Sequence, residues 1–329
     1  MNLLDRVRMQ CKLLRDKYPN VRVTPIFDPE MLDMFIDNSL SIDSDGVGLF
    51  NVLDTETTGL NEGVNELFML TNYQILVSSD CRKFKIISKN TYYNRPAISI
   101  PKKYQDSANV SDEMIDNNQI TKEMFLDLIN TLSKGTTICH NAEFDRWFVR
   151  QLGKKLGLDS ADSELSFSCS NREVNWRRYG YTSTSLYNIL DSIGISIGDN
   201  WHNADSDVMT TIFGLFYPLL NTDDDKLDLD KGLISKIPYN PMEIIRDNNI
   251  SQDVDVIAHN TAFDAKDKIK SYSLGNKRFQ WIGALKSWSI KVSIKEVPLV
   301  VKFLKEDIYG PSSSISPIIN KVPRSHRYQ

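Results

Sequence analysis

Apolar and polar positions divide the chain into short β-like runs followed by helix-like ones. The stretch VGLFNVLDT, just after the turn-rich DSDG at 43–46, is apolar almost throughout and predicts a buried strand. ELFMLTNYQILVS and KFKIIS follow with β-branched and aromatic content, and their short connections predict antiparallel neighbours. The period then changes. TKEMFLDLINTLS places Met124, Phe125, Leu128, Ile129 and Leu132 on one helical face, after a loop. TTICHN is short and β-branched like a buried strand, and helices are predicted over 143–156, 184–194 and 204–220, the last opening directly after WHN. Three strands, a helix, a strand and further helices predict an α/β domain with a mixed sheet flanked by helices.

Flanking patterns set the boundaries. Residues 1–45 read as a helical N-terminal extension: Leu3, Leu4, Val7, Cys11 and Leu14 recur at near-helical spacing but are interrupted by Asp and Arg, unlike a signal region. The α/β domain is assigned 46–222. NTDDDKLDLDKG at 221–232, then Pro238 and Pro241, predict a linker over 223–250. A small basic α+β module over 251–310 and a tail over 311–329 complete the chain.

Composition narrows the classes. Hydrophobic residues make up 41% of the 329, ample for a core, yet no run approaches the ~18 apolar residues a membrane helix needs. A soluble chain with no membrane partner is expected. Cys11, Cys81, Cys139 and Cys169 form no CxxC pair, so free thiols in a reducing, cytoplasmic setting are expected. The net charge of −4 conceals an asymmetry: residues 251–329 hold 13 Lys and Arg against 7 Asp and Glu. That excess suits a polyanion, and equally a solvated lysine-rich face.

Candidate chemistry begins with DTETTGL at 54–60. Asp54 and Glu56 are two apart and share one side of a strand, where two carboxylates repel unless a cation lies between them. An isolated Asp-x-Glu is more often an ordinary polar strand end. Two later segments change that weighing: HNAEFD puts Asp145 where a strand gives way to a helix, and WHNADSD puts His202 before a helix and Asp207 in its first turns. Four carboxylates and a histidine at element ends suit phosphoryl chemistry with two metals ~3.5 to 4 Å apart and a base near a metal-bound water.

DTETTGL, HNAEFD and H-x-A-x-x-D at 202–207 resemble the three motifs of the DEDDh family of 3′-to-5′ exonucleases, in order and with similar spacing, over about 47–220. VSDEMI at 110–115 and CSNREVNW at 169–176 strengthen the likeness. The resemblance implies a ribonuclease H-like fold and a metal-dependent 3′-5′ exonuclease that releases nucleoside 5′-monophosphates from DNA. It implies that Asp54, Glu56, Asp145 and Asp207 hold two Mg²⁺ or Mn²⁺ ions, with His202 as general base. It further implies substrate contacts at Thr57, Gly59, Leu60, Glu66, Asn141 and Phe144, single-stranded 3′ ends as substrate, and replication or repair proteins as partners. NELFML departs from the usual pattern around Glu66, and Asn203 replaces a common arginine. For Phe144 a core role, and for Asn141 a capping role, compete with substrate contact. An exoribonuclease, or a non-catalytic nucleic-acid-binding protein of this fold, are the alternatives.

Three further features carry open readings. A Cys139–His140 nucleophilic pair is disfavoured because adjacent strand residues face opposite ways. Trp176, Tyr179 and Tyr181, interleaved with Arg172, Arg177 and Arg178, suit either a stacking surface or a packed loop. HNTAFD at 259–264 repeats HNAEFD without its companion motifs. Phe263, Lys266, Asp267, Trp281 and Trp288 resemble a small module appended to some bacterial exonucleases of this family, where lysines with aromatic rings suit either DNA binding or a small core.

Overall fold

The apolar run after DSDG forms the central strand because helices cover both its faces. The computed structural model describes residues 3–18, 24–159, 161–163, 165–179, 181, 183–196, 203–218, 241–250, 253–262, 265–275, 277–282, 286–293, 296–310 and 313–322. In it β1 spans Gly48–Thr57, β2 Leu67–Val77, β3 Phe84–Tyr93, β4 Thr136–Cys139 and β5 Ser166–Cys169. The sheet order is β3-β2-β1-β4-β5, antiparallel through β1, β2 and β3 and parallel from β1 to β4 to β5. It is the mixed sheet of a ribonuclease H-like fold. A Cβ on Gly135, at the entry to β4, would meet the Leu49 carbonyl oxygen at 2.4 Å, so a side chain there would push β4 off the central strand.

Among the described residues, the helices of this part of the chain or its edge are α1 Leu3–Lys17, α2 Lys102–Ala108, α3 Asp112–Asn117, α4 Lys122–Ser133, α5 Ala142–Lys155, α6 Ser170–Glu173, α7 Leu186–Ser192, α8 Ala204–Phe216, α9 Pro241–Ile250 and 3₁₀ helices at Pro29–Phe35 and Trp176–Tyr179. Strand alternation sorts them into layers. Phe50 and Val52 of β1 join Val208, Ile212 and Phe213 of α8 and Ile189 of α7 in one core. Leu53 joins Phe125 and Leu128 of α4 and Phe148 and Leu152 of α5 in the other.

Several segments differ from expectation. The N-terminal extension packs into the first core through Leu4, Met31, Leu32 and Phe35, so its apolar stripe is used within the domain. The loop expected before α4 holds α2 and α3; Ser111 Oγ caps α3 by accepting from Met114 N (3.1 Å), and Ala108, Val110 and Ile115 are buried. Within the expected linker, α9 buries Met242 and Ile245 in the same core as α8, while residues 219–240 lie outside the described residues.

Two compact units result, residues 1–246 and 247–326. The second has a sheet ordered β11-β6-β10-β9, from β6 Asp253–Ala258, β9 Gln280–Ile282, β10 Ser287–Ser293 and β11 Ile318–Val322. A short ribbon, β7 Ser273–Leu274 with β8 Lys277–Arg278, precedes β9. Helices α10 Lys266–Ser271 and α11 Val297–Phe303, the latter running into a π-helical turn at Leu304–Tyr309, complete it. Part of the expected tail is therefore a strand: β11 pairs with β6 from Ile318 to Val322. No described helix is long and apolar enough to cross a membrane, and all four cysteines are buried free thiols.

Candidate active site

The two faces of β1 explain how the acidic residues meet. Asp54 and Glu56 continue the row of Phe50 and Val52, toward α8, and that helix presents Asp207 in its first turn. One oxygen from each of Asp54, Glu56 and Asp207 lies within 4.8 Å of the others. Asn203 sets the start of α8: its Oδ1 accepts from the backbone N–H of Asp205 (3.1 Å) and Ser206 (3.3 Å), and its Nδ2 donates to the Ala108 carbonyl. Thr55 faces the other way, toward α5, where its hydroxyl donates to Asp145 Oδ1 (2.8 Å). Thus α8 supplies one acid and α5 another, on either side of one strand end. His202 lies outside the described residues.

Electrostatics make this a strained set of charges. Burial, then repulsion from Asp145, Asp207 and Glu56, pushes the Asp54 carboxyl well above the ordinary carboxylate range. Burial followed by Asp207 and Asp145 lifts Glu56 to about 9. Burial lifts Asp207 to about 7; it also lifts Asp145 to about 7, against the lowering effect of the Thr55 hydrogen bonds. Among the described residues no lysine or arginine pairs with any of the four. Oxygens around an octahedral Mg²⁺ with bonds of ~2.1 Å lie about 3.0 Å apart when adjacent and about 4.2 Å when opposite, both inside the 4.8 Å that bounds the trio. All-oxygen donors, mutual repulsion and that spacing fit a hard divalent cation.

The loop after β1 is tightly tied. Thr57 Oγ1 donates to Gly59 O (2.7 Å), Thr58 Oγ1 accepts from Glu66 N (3.0 Å), and Asn65 Oδ1 accepts from Asn61 N (2.8 Å). A Cβ on Gly59 would meet Asn65 Oδ1 at 2.7 Å. At its tip the apolar side chain of Leu60 is 80% exposed. Glu66 is committed elsewhere: Lys155 Nζ donates to Oε2 (3.0 Å) and Ala97 N to Oε1 (2.9 Å). Asn141 occupies the cap position of α5, yet its side chain makes no capping bond. Phe144 is half-buried, with its ring 4.7 Å from that of Phe148.

The remaining features separate clearly. His140 donates through Nε2 to Thr184 O (2.7 Å) and bonds Ser170 Oγ through Nδ1 (2.9 Å); burial lowers it to about 4, while burial pushes the Cys139 thiol well up. Neither is set up for nucleophilic work. Of the two readings of NREVNWRRYGY, the packed loop holds for two rings: Trp176 is 1% exposed with Nε1 donating to Ser170 O (2.8 Å), and Tyr181 packs near it in the core. In HNTAFD, Phe263 and Asp264 lie outside the described residues, and His259 Nε2 donates to Ser316 O (2.8 Å). Thr55 is the contact that motif reading passed over, although strand alternation already turns it toward the helix that carries Asp145.

The fold and this acid set define a ribonuclease H-like nuclease domain. Residues 52–213 match the family RNase_T, described as "Exonuclease". Over that segment the chain matches the exonuclease family model and has a DnaQ-like, ribonuclease H-like fold. The chain is 31% identical over 123 residues to the PolC-type DNA polymerase III of Thermotoga maritima, covering 37% of this chain and 9% of that protein. The counterpart from Thermotoga petrophila is 29% identical over 111 residues, covering 33% and 8%. The chain therefore spans less than a tenth of the length of these curated relatives. Among solved structures, an E. coli exonuclease I–single-stranded DNA complex is similar with a TM-score of 0.46 and 14% identity, over 84% of this chain and 63% of that one. The nuclease domain of 3′hExo, a DEDDh family member bound to rAMP, gives 0.42 and 12%, over 54% and 95%.

Proposed function

We propose that this protein hydrolyses phosphodiester bonds at the 3′ end of single-stranded DNA and releases nucleoside 5′-monophosphates. The observation that carries the reading is the convergence of Asp54, Glu56 and Asp207 from two separate elements to within 4.8 Å, with no cation among the described residues to balance them. Asp54, Glu56 and Asp207 would hold one Mg²⁺ or Mn²⁺, and Asp54 with Asp145 a second. Bound ions supply positive charge to the phosphoryl group and lower the pKa of water. His202, immediately before the Asn203 cap of α8, accepts the proton of the attacking water, a task suited to an imidazole titrating near neutrality. The exposed Leu60 packs against the terminal base, and Thr57 and Gly59 line the approach of the terminal nucleotide. Asn141, with its side chain free of the helix cap, and Phe144 border the same approach from α5. Glu66 acts from one step back, through its tie to Lys155 of α5.

Strands labelled at the 5′ end test the reading. With Mg²⁺ present, labelled single-stranded DNA should shorten one nucleotide at a time, and Asp54→Asn should abolish the ladder. His202→Ala should slow it by about 10² to 10⁴-fold, the usual contribution of a general base. Immediate release of short labelled fragments would contradict 3′ polarity. Faster shortening of an RNA strand of the same sequence would move the substrate to RNA.

A further inference from the structure

The small C-terminal unit places an unusual pair of side chains at the rim of its own core. Trp281 of β9 is the register partner of Trp288 of β10, and cross-strand partners point to the same face of a sheet. Trp288 is buried with Ile290 and Val292. Trp281 sits on an edge strand of three residues and remains 52% exposed, its ring edge-on to Trp288 at 5.4 Å between centroids. Lys270 of α10 borders the same indole: its ammonium lies 6.0 Å from the Trp288 centroid, and its side chain is exposed. An exposed ring and a cation thus share one neighbour and one side of the sheet.

The chemistry selects the partner. A flat indole half in water offers a stacking face that any base can use, and an ammonium beside its neighbour Trp288 offers a phosphate contact. The excess of 13 Lys and Arg over 7 Asp and Glu in residues 251–329 favours a polyanion over a neutral or acidic-tolerant protein surface. We propose that the Trp281–Lys270 rim is a stacking platform for single-stranded nucleic acid, one base lying on the indole while a neighbouring phosphate meets the ammonium. This deepens the reading of a nucleic-acid substrate and rests on it, since the platform would bind the same class of strand. Sheet geometry also provides an internal control. Lys291 alternates with Ile290 and Val292 on β10, so it carries the same charge on the opposite face.

The test uses the full chain carrying Asp54→Asn, without divalent metal, and fluorescence anisotropy of a labelled oligothymidylate. Trp281→Ala should weaken binding about tenfold, in line with the loss of one base stack. Trp281→Phe, which keeps a ring, should retain most of the affinity. Lys270→Glu should weaken binding and flatten its salt dependence, whereas Lys291→Glu should leave it near the parent value. Unchanged affinity in Trp281→Ala overturns the platform and leaves a protein partner or a purely structural edge as the role of that ring. Equal losses in Lys270→Glu and Lys291→Glu overturn it as well, because net charge rather than this rim would then be responsible. Binding is read without turnover, so a wild-type chain that fails to cleave would contradict the nuclease reading and still leave this measurement interpretable.

Discussion

Single residues decide the electrostatics of the site. Asp54, Glu56, Asp145 and Asp207 are ordinary carboxyls in an unfolded chain, near 3.8 or 4.5, and burial raises all four on folding. A raised folded value means that the native state binds protons which the unfolded state releases. Stability is therefore fully present below the ordinary carboxylate range and is lost as pH rises through about 7 for Asp145 and Asp207 and about 9 for Glu56. Metal-free protein should accordingly show a thermal midpoint that falls between about pH 5 and about pH 9, and Asp207→Asn should make that fall shallower. A midpoint that rose over the window would contradict the sign of these shifts. The acids themselves are legible in the sequence, since DTETTGL, HNAEFD and HNADSD mark them by order and spacing. Their protonation behaviour is not, because it depends on burial under α8 and α5, which come from distant parts of the chain.

At the scale of elements, β1 works as a two-faced spacer. One face aims Asp54 and Glu56 at α8, and the other uses Thr55 to fix Asp145 at the start of α5. Hydrogen bonds to charged groups contribute about 1.5–3 kcal/mol. Replacing Thr55 by Val should therefore reduce cleavage about tenfold or more, with the far-ultraviolet spectrum unchanged; a cleavage rate equal to wild type would show that Asp145 needs no such restraint. β1, β2, β3, α4 and α8 are readable from their apolar patterns because each runs for ten residues or more, whereas β5, of four residues, is not. Two further kinds of element escape such reading. Helices α2 and α3 are six or seven residues long and rely on caps and a few buried side chains such as Ala108 and Ile115. Strand β11 lies among prolines and serines and is specified by pairing with β6, a partner some sixty residues away in the chain.

The whole molecule joins a ribonuclease H-like unit, with its N-terminal helices built into the core, to a second unit with its own sheet and core. The N-terminal segment illustrates the limit of boundary reading: an amphipathic stripe announces α1, but which surface it covers is settled only by Met31, Phe35 and the aromatic row of α8 that it joins. The composition of the C-terminal unit shows its charge, while register alone distinguishes the buried Trp288 from the exposed Trp281. The central claim is that the acids of β1, α5 and α8 form one divalent-cation centre. Calorimetric titration of the metal-free chain with Mn²⁺ tests it most directly. The account predicts saturable binding to the wild-type chain, accompanied by proton release, and loss of that binding in both Asp54→Asn and Asp207→Asn. Binding of equal strength in wild type and both variants, or none to the wild type near neutral pH with Mn²⁺ in excess, would contradict it.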